Sequence, residues 1–597
     1  MYMSNMSAID RVVVYFSIWS LDHDLNVRDT IDLPIDTTDL DVESLSRNRG
    51  QNALTYTKKY ISSVFMVKFR LSEPEESIPE SIVLMFRDLN RDPSVKFLYS
   101  HQDKILEQYY SKHINNKDVA IELPTGAGKT LVGLLIAEYR RRVFKEKVVF
   151  LCPTKQLCFQ VAECASRYGI NTSVFVGSQS LYNLSDFLKF QQAKSIAITT
   201  YSGIFNTNPR IEDPDSIICD DAHAADNYVA SLWTLSIDIA EHNDLYRSLY
   251  TKIKDCVPDE IRFAIDFGGT KYNSTCIDLI SNISLSFHDK FKDIAEVIEA
   301  FSEKYQDIKY PWSKIAPNLP SCLFYITPEK IEIRPFIPPT QNHLPFFKAK
   351  QHVYMSATFG EDGDIERIFG VKNISKIPIP KEWDTRNTGR RLILFPDLSD
   401  TNNNKNESLD ASLAMISDVK RALVITTDDR TIKSWEERLP KTHTIIKSEK
   451  IEKSMNKFTE SQTPSILLLA TRYDGIDLPG DQCRLMLIDG KPSGSGLQEK
   501  YFITRLGASA QLKNRIRTRI TQAMGRCTRD ESDYSVVIIY GHELSQWLCK
   551  SDNTKGMHPE LQAEIAFGLE NSDKLLIQDF IDITRIFGSS LLSMLDR

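Results

Sequence analysis

From residue 96 onward the chain repeats one pattern: a short apolar run, a turn, then a stretch whose apolar positions recur every three or four residues. "DVAIELPTGAGKTLVGLLIAEYRRR" reads as strand, glycine turn and helix, and "KVVFLCPTKQLCFQVAECASRYG" repeats the unit. "SIAITTYSGIF" and "SIICDDAHAAD" continue it. Strands that are apolar on both faces and separated by helices predict a parallel sheet covered on both sides.

The rhythm is interrupted twice. Residues 1–95 carry three apolar, roughly alternating runs, "RVVVYFSIW", "ISSVFMVKFRL" and "SIVLMFRDL", with an acidic polar stretch between them. They predict a small α/β or β-rich accessory unit. Residues 226–345 are helix-rich and aromatic, then alternate as "CLFYITPEKIEIRPF", the pattern of a hairpin. The strand–turn–helix rhythm returns at "HVYMSATFG". After the polar "SDTNNNKNESLD" it starts a second set: "RALVITTDD", "SILLLATRYDGIDLPG", "CRLMLIDG", a basic helical stretch at 512–526, and "YSVVIIYGHEL". The tail reads as helical. The expected layout is an accessory domain at 1–95, a first α/β domain at 96–225 and 346–385, an insertion at 226–345, a second α/β domain at 386–550 and a helical tail at 551–597.

Composition narrows this little. A chain of 597 residues is too long for one core, and 42% hydrophobic with 26% charged residues is ordinary for a globular protein. The net charge of −7 removes any global basic bias, though a local groove can still be basic. No run approaches the eighteen or so apolar residues of a membrane span, so no membrane partner is expected. "RVVVYFSIWSLDHD" runs into acids and reads as a strand, not a signal peptide. The ten cysteines are scattered without a C-x-x-C pair, as expected of buried thiols in a cytoplasmic protein.

Two stretches carry phosphate chemistry. In "IELPTGAGKT" the strand–glycine turn–helix context presents backbone N–H groups and a helix N-terminus to an anion. Lys129 can reach terminal phosphates, and Thr130 offers a hydroxyl to Mg²⁺. The usual first glycine of such a loop is replaced by Leu123. In "SIICDDAH" an apolar strand ends in Asp220-Asp221, where one carboxylate can hold Mg²⁺ and its neighbour can orient or deprotonate water.

Four segments, "PTGAGKT", "DDAH", the "SAT" of Ser356-Ala357-Thr358 and "QAMGRCTR" at 522–529, stand in the order of helicase motifs I, II, III and VI. Over about 96–550 the chain therefore resembles the superfamily 2 helicases, where a loop lacking the first glycine is the common form. The resemblance implies two RecA-like, doubly wound parallel-sheet domains and an enzyme that hydrolyses ATP with Mg²⁺. It implies that Thr125, Gly126, Ala127, Gly128, Lys129 and Thr130 bind phosphate, with Asp477 also at the nucleotide and Thr130 and Asp220 at the metal. Asp221 becomes the catalytic carboxylate, standing where most members have Glu. Its reach is about one methylene shorter, which favours slower hydrolysis. His223 would couple nucleotide state to Ser356, Ala357 and Thr358, and Gln522, Arg526 and Arg529 would face the γ-phosphate across the cleft. Gln102 stands where many such helicases read adenine; it is equally the pattern of a surface-helix glutamine.

"CPTKQL", "TTYSG" and "ATRYDGIDLPG" resemble the nucleic-acid-facing motifs, which would put Pro153, Thr154, Thr199, Thr200, Thr471 and Arg472 on a phosphate strand. The stretch "KNRIRTRIT" (513–521) fits either a phosphate contact or the exposed face of its helix. The large insertion between motifs II and III looks most like the XPD/DinG-type branch, whose arch-like domain sits there. Members of that branch often carry an iron–sulfur domain between motifs I and Ia. Here Cys152 follows Thr130 by only 22 positions and none of 131–151 is cysteine, so no iron–sulfur cluster is expected. The expectation is a DNA helicase or translocase acting on single-stranded or partly duplex DNA. A role in bacterial genome defence or repair, paired with a nuclease or effector subunit, matches stand-alone helicases of this size. An ATP-gated nucleic-acid sensor and an RNA helicase are the competing readings.

Overall fold

The computed structural model describes residues 78–588 except 94–96, 124–126, 268–275, 358–362, 381–388, 400–404, 428, 448–457, 471–477, 479, 493–495, 508 and 529–532, together with two strands nearer the N-terminus. Residues 1–77 and 78–597 form two compact units. In the first, β1 (Tyr15–Ile18) and β2 (Ile31–Pro34) pair antiparallel, Tyr15 opposite Pro34. The run at 61–71 lies outside the described residues.

The third apolar run, read above with the accessory unit, is instead the helix Ile82–Asp88. Ser81 starts it by accepting from the Leu84 N–H at 3.2 Å. Ile82, Met85, Phe86 and Leu89 fall at helical spacing and are buried in one cluster with the first parallel sheet. A short apolar run does not distinguish strand from buried helix; here the serine cap and the sheet face beneath decide for helix.

Five strands begin that sheet: β3 (Asp118–Glu122), β4 (Val148–Cys152), β5 (Thr172–Phe175), β6 (Ile196–Thr200) and β7 (Ser216–Cys219). The chain then leaves it for an antiparallel sheet of β8 (Leu235–Asp238), β9 (Asp278–Ile280), β10 (Cys322–Ile326) and β11 (Lys330–Pro335). β10 and β11 form the hairpin expected from the alternation, Phe324 opposite Ile333. The chain returns as β12 (Gln351–Ser356) and β13 (Ser375–Ile377), giving the order β13-β3-β12-β7-β4-β6-β5, parallel throughout. Alternate residues serve the two faces. Val119, Ile121, Phe150, Val353 and Met355 pack with Ile82–Phe86 and the helix Lys129–Phe144, whereas Ala120, Val149, Leu151 and Tyr354 share a core with the insertion.

A second parallel sheet runs β14-β19-β18-β15-β17-β16, from β14 (Arg390–Leu394), β15 (Arg421–Thr426), β16 (Thr444–Lys447), β17 (Ser465–Ala470), β18 (Leu485–Asp489) and β19 (Tyr534–Tyr540). The helix Pro559–Ser572 lies against β14. Gly568 faces the Ile393 carbonyl there, so close that a Cβ would collide with it. The Arg391 side chain pairs with Glu564 at 2.7 Å on the same helix.

The insertion also meets this second half. The helix Leu497–Thr504 has its first N–H accepted by Glu332 of β11 at 3.2 Å, and Gln498 donates to the Phe336 carbonyl at 3.3 Å. Arg505 donates to the Ile277 carbonyl and pairs with Glu260, both at 2.8 Å. Tyr325 packs against Tyr501 with ring centres 5.6 Å apart. Among the described residues no helix is long and apolar enough to cross a membrane. All ten cysteines are free thiols, eight of them buried.

Candidate active site

The strand order fixes the site. β12 lies between β3 and β7, so the ends of these three strands bring the glycine loop, Ser356-Ala357 and Asp220-Asp221 to one edge of the sheet. The Leu123 N–H donates to the Ser356 carbonyl at 2.9 Å and the Asp220 N–H to the Leu151 carbonyl at 2.9 Å, stitching these ends together. Leu123 itself is fully buried, which explains an apolar residue at this place.

Gly128 precedes the helix Lys129–Phe144 with φ +78°, a left-handed conformation that a side chain disfavours. A Cβ there would also run into the Gln102 amide. Gln102 is only 2% exposed and is not a surface glutamine. Its Nε2 donates to the Ala127 carbonyl at 3.0 Å while its Oε1 accepts from the Tyr99 N–H at 3.1 Å. His101 Nε2 contacts the same carbonyl at 2.9 Å. Both residues brace the loop from beneath. Sequence reasoning passed over His101, although it stands beside Gln102.

Lys129 Nζ donates to Asp221 Oδ1 at 2.7 Å. Burial pushes the Asp221 carboxyl up, but Lys129, His223 and Arg526 around it outweigh this and hold it well below the usual carboxylate range. Asp221 sits at φ +46°, a region that Asp tolerates better than longer acids do. Asp220 Oδ1 accepts from the Asp221 N–H at 3.1 Å, and the Tyr201 hydroxyl donates to the Asp220 carbonyl at 2.7 Å. Tyr201, part of "TTYSG", thus anchors the acidic turn, a role its motif did not suggest.

His223 links the two halves. The Gln522 side-chain amide meets His223 Nε2 and Ser356 Oγ meets Nδ1 at 2.7 Å, so each ring nitrogen has a partner from a different half. Burial lowers the imidazole pKa to about 4, with Lys129 and Arg526 adding to the effect against Asp221 and Gln522. The ring is therefore neutral at pH 7. The Arg526 carbonyl accepts from the Leu478 N–H at 2.9 Å, joining the turn after the helix Ser509–Met524 to the "DGIDLPG" segment.

The structure therefore brings together Gln102, Ala127, Gly128, Lys129, Asp220, Asp221, His223, Ser356, Gln522 and Arg526. Thr130 follows Lys129 in the first turn of its helix, and Ala357 follows Ser356. Thr125, Gly126, Thr358, Thr471, Arg472, Asp477 and Arg529 lie outside the described residues. On the expected nucleic-acid face, Thr154 caps the helix Lys155–Arg167 by accepting from the Leu157 N–H at 3.3 Å, Pro153 is buried beside it, and Thr200 is part-exposed. Thr199 departs from expectation: it is 1% exposed and donates to the Phe175 carbonyl at 2.6 Å, because its alternate position on β6 turns it into the core. The basic stretch 513–521 is also resolved. Arg517 donates to the Asn553 and Asp552 carbonyls at 2.6 Å, and Arg515 and Arg519 pair with carboxylates, so these side chains are spent within the protein.

Two family matches overlie this geometry. Residues 96–271 match the family described as "Type III restriction enzyme, res subunit", and residues 408–559 match the "Helicase C-terminal domain". The chain belongs to the superfamily 2 helicases, enzymes that hydrolyse ATP. Within that class its fold is of the XPD type. An apo XPD structure is 19% identical and aligns over 76% of this chain and 98% of its own, with a TM-score of 0.50. S. tokodaii Xpd4 is 14% identical over 77% of this chain and 99% of its own, with a TM-score of 0.46. No curated protein matches the sequence.

Proposed function

We propose that the chain is an ATP-driven DNA helicase or translocase whose hydrolysis is stimulated by the strand it tracks. The observation that carries this reading is the meeting of Lys129, Asp221 and His223 from the first parallel sheet with Gln522 and Arg526 from the second. An ATP phosphate entering the loop competes with Asp221 for Lys129. The freed Asp221 carboxylate is then available to orient or deprotonate water. Thr130 and Asp220 are oxygen donors at the mouth of the loop, a set that suits Mg²⁺, which when bound neutralises charge on the phosphate oxygens. Arg526 stands in the field of Asp221 and serves as an arginine finger in cis, with Arg529 beside it in sequence. The direct run from the helix Lys129–Phe144 into β4 supports an enzyme without an iron–sulfur domain at that point. The motif resemblance to the XPD/DinG-type branch is the ground for reading DNA in preference to RNA. A role in genome defence or repair fits a cytoplasmic motor with a separate N-terminal unit, and co-purification of a nuclease tests it.

The test is the ATPase rate with single-stranded DNA, overhang duplexes and RNA, using Lys129→Ala as the control. Stimulation by DNA that Lys129→Ala abolishes supports the reading; a rate indifferent to every nucleic acid refutes it. Asp221 in place of Glu, with the insertion joined to the second half, favours a second reading: an ATP-gated sensor that holds a partner. Strand displacement separates the two, since only the motor yields displaced strand.

A further inference from the structure

The helix Ser509–Met524 carries a polar stripe. Arg515, Arg519, Gln522 and, in the turn beyond it, Arg526 are spaced four, three and four residues apart, which places them along one face. The last two reach the ATPase residues described above. The first two end in carboxylates. Arg515 lies 3.2 Å from Asp226, 3.1 Å from Asp364 and 3.7 Å from Glu499 of its own half, and Arg519 grips the same Glu499 at 3.1 and 3.3 Å.

The position of the two aspartates gives this contact its meaning. Asp226 opens the helix Asp226–Ser231, five residues after Asp221, and Asp364 opens the helix Asp364–Phe369 on the segment that leaves Ser356-Ala357. Arg367, from the same side as the aspartates, reaches Asp226 at 2.9 Å and Asp364 at 3.8 Å. Two guanidinium groups, one from each half of the motor, thus hold two carboxylates that each follow a turn of the site. The side chains of Arg515, Asp226 and Asp364 are only 18–23% exposed, so their geometry is better fixed than that of open surface pairs.

We propose that Arg515 is a positioning residue for ATP hydrolysis: through Asp226 and Asp364 it seats the helix that delivers Gln522 and Arg526 to the nucleotide. This rests on the ATPase reading above. Arg515 is two helical turns from Gln522, roughly 10 Å along one rigid element, so a shift at one end is carried to the other. Misplacement by about an ångström is enough to slow a reaction that depends on an aligned cation.

The experiment measures DNA-stimulated hydrolysis and the affinity for a fluorescent ATP analogue in the full chain for wild type, Arg515→Ala and Arg515→Lys. Arg515→Ala should lower kcat about tenfold while KM and analogue affinity change less than twofold, because the nucleotide's loop contacts come from the other half. Arg515→Lys should recover part of the rate, since an ammonium can keep one of the two contacts to Asp226 and Asp364. A purely structural role would lower the melting temperature and the active fraction, with kcat per active site unchanged, and would overturn the proposal. So would wild-type kcat in Arg515→Ala. If wild type itself shows no Lys129-dependent hydrolysis, the ATPase reading is refuted and the positioning role falls with it.

Discussion

Lowering the pH from 7 to 4.5 tests the neutral His223 that joins the two halves. An ordinary imidazole titrates near 6.5, and the enclosed ring does so at about 4. Between these values the unfolded chain takes up a proton that the folded chain refuses. The stability is therefore fully present above pH 6.5, drains away as the pH falls toward 4, and changes no further below that. Linkage through this one ring makes folding roughly 2–3 kcal/mol less favourable at pH 4.5 than at pH 7. Two measurements read this out. Ring-labelled histidine NMR, with the His223 signal assigned by its loss in His223→Gln, should show a midpoint near 4. Denaturant unfolding of the full chain at both pH values should show His223→Gln spared about that much of the wild-type loss. A midpoint above 6, or a variant that tracks wild type across the range, would refute the neutral His223.

Asp221→Asn should lower kcat by about a hundredfold or more with ATP affinity retained, measured by steady-state hydrolysis and analogue binding. Asp221→Glu must enter the left-handed region with a longer side chain, so it should be destabilised by roughly 1 kcal/mol in thermal unfolding. Gly128→Ala adds a Cβ at φ +78° against Gln102 and should weaken ATP-analogue binding at least tenfold. Phe86→Ala should cost about 3–4 kcal/mol, and a chain beginning at residue 78 should melt well above one beginning at 96, which lacks Ile82, Met85 and Phe86.

The parallel sheets were legible because their strands are apolar on both faces, and the glycine loop and acidic turn because they fall at strand ends. What sequence could not show was direction. Thr199 and Thr200 share a motif, yet β6 turns the first inward and leaves the second part-exposed. The arginines of 513–521 look like a phosphate contact until their carboxylate and carbonyl partners, distant in sequence, come into view. The helix Ile82–Asp88 belongs with the first parallel sheet and not with the accessory unit for a related reason, since a short apolar run does not show which surface lies beneath it.

The insertion begins and ends in the first parallel sheet, yet Glu332 accepts the first N–H of a helix in the second half and Arg505 binds back to Ile277. That makes it a third body in the nucleotide equilibrium. Whatever binds the insertion more tightly when this seam is made must raise ATP affinity by the same factor if ATP favours the seam, and ATP must return the favour. A segment that touches no phosphate can thereby set the nucleotide threshold of the ATPase.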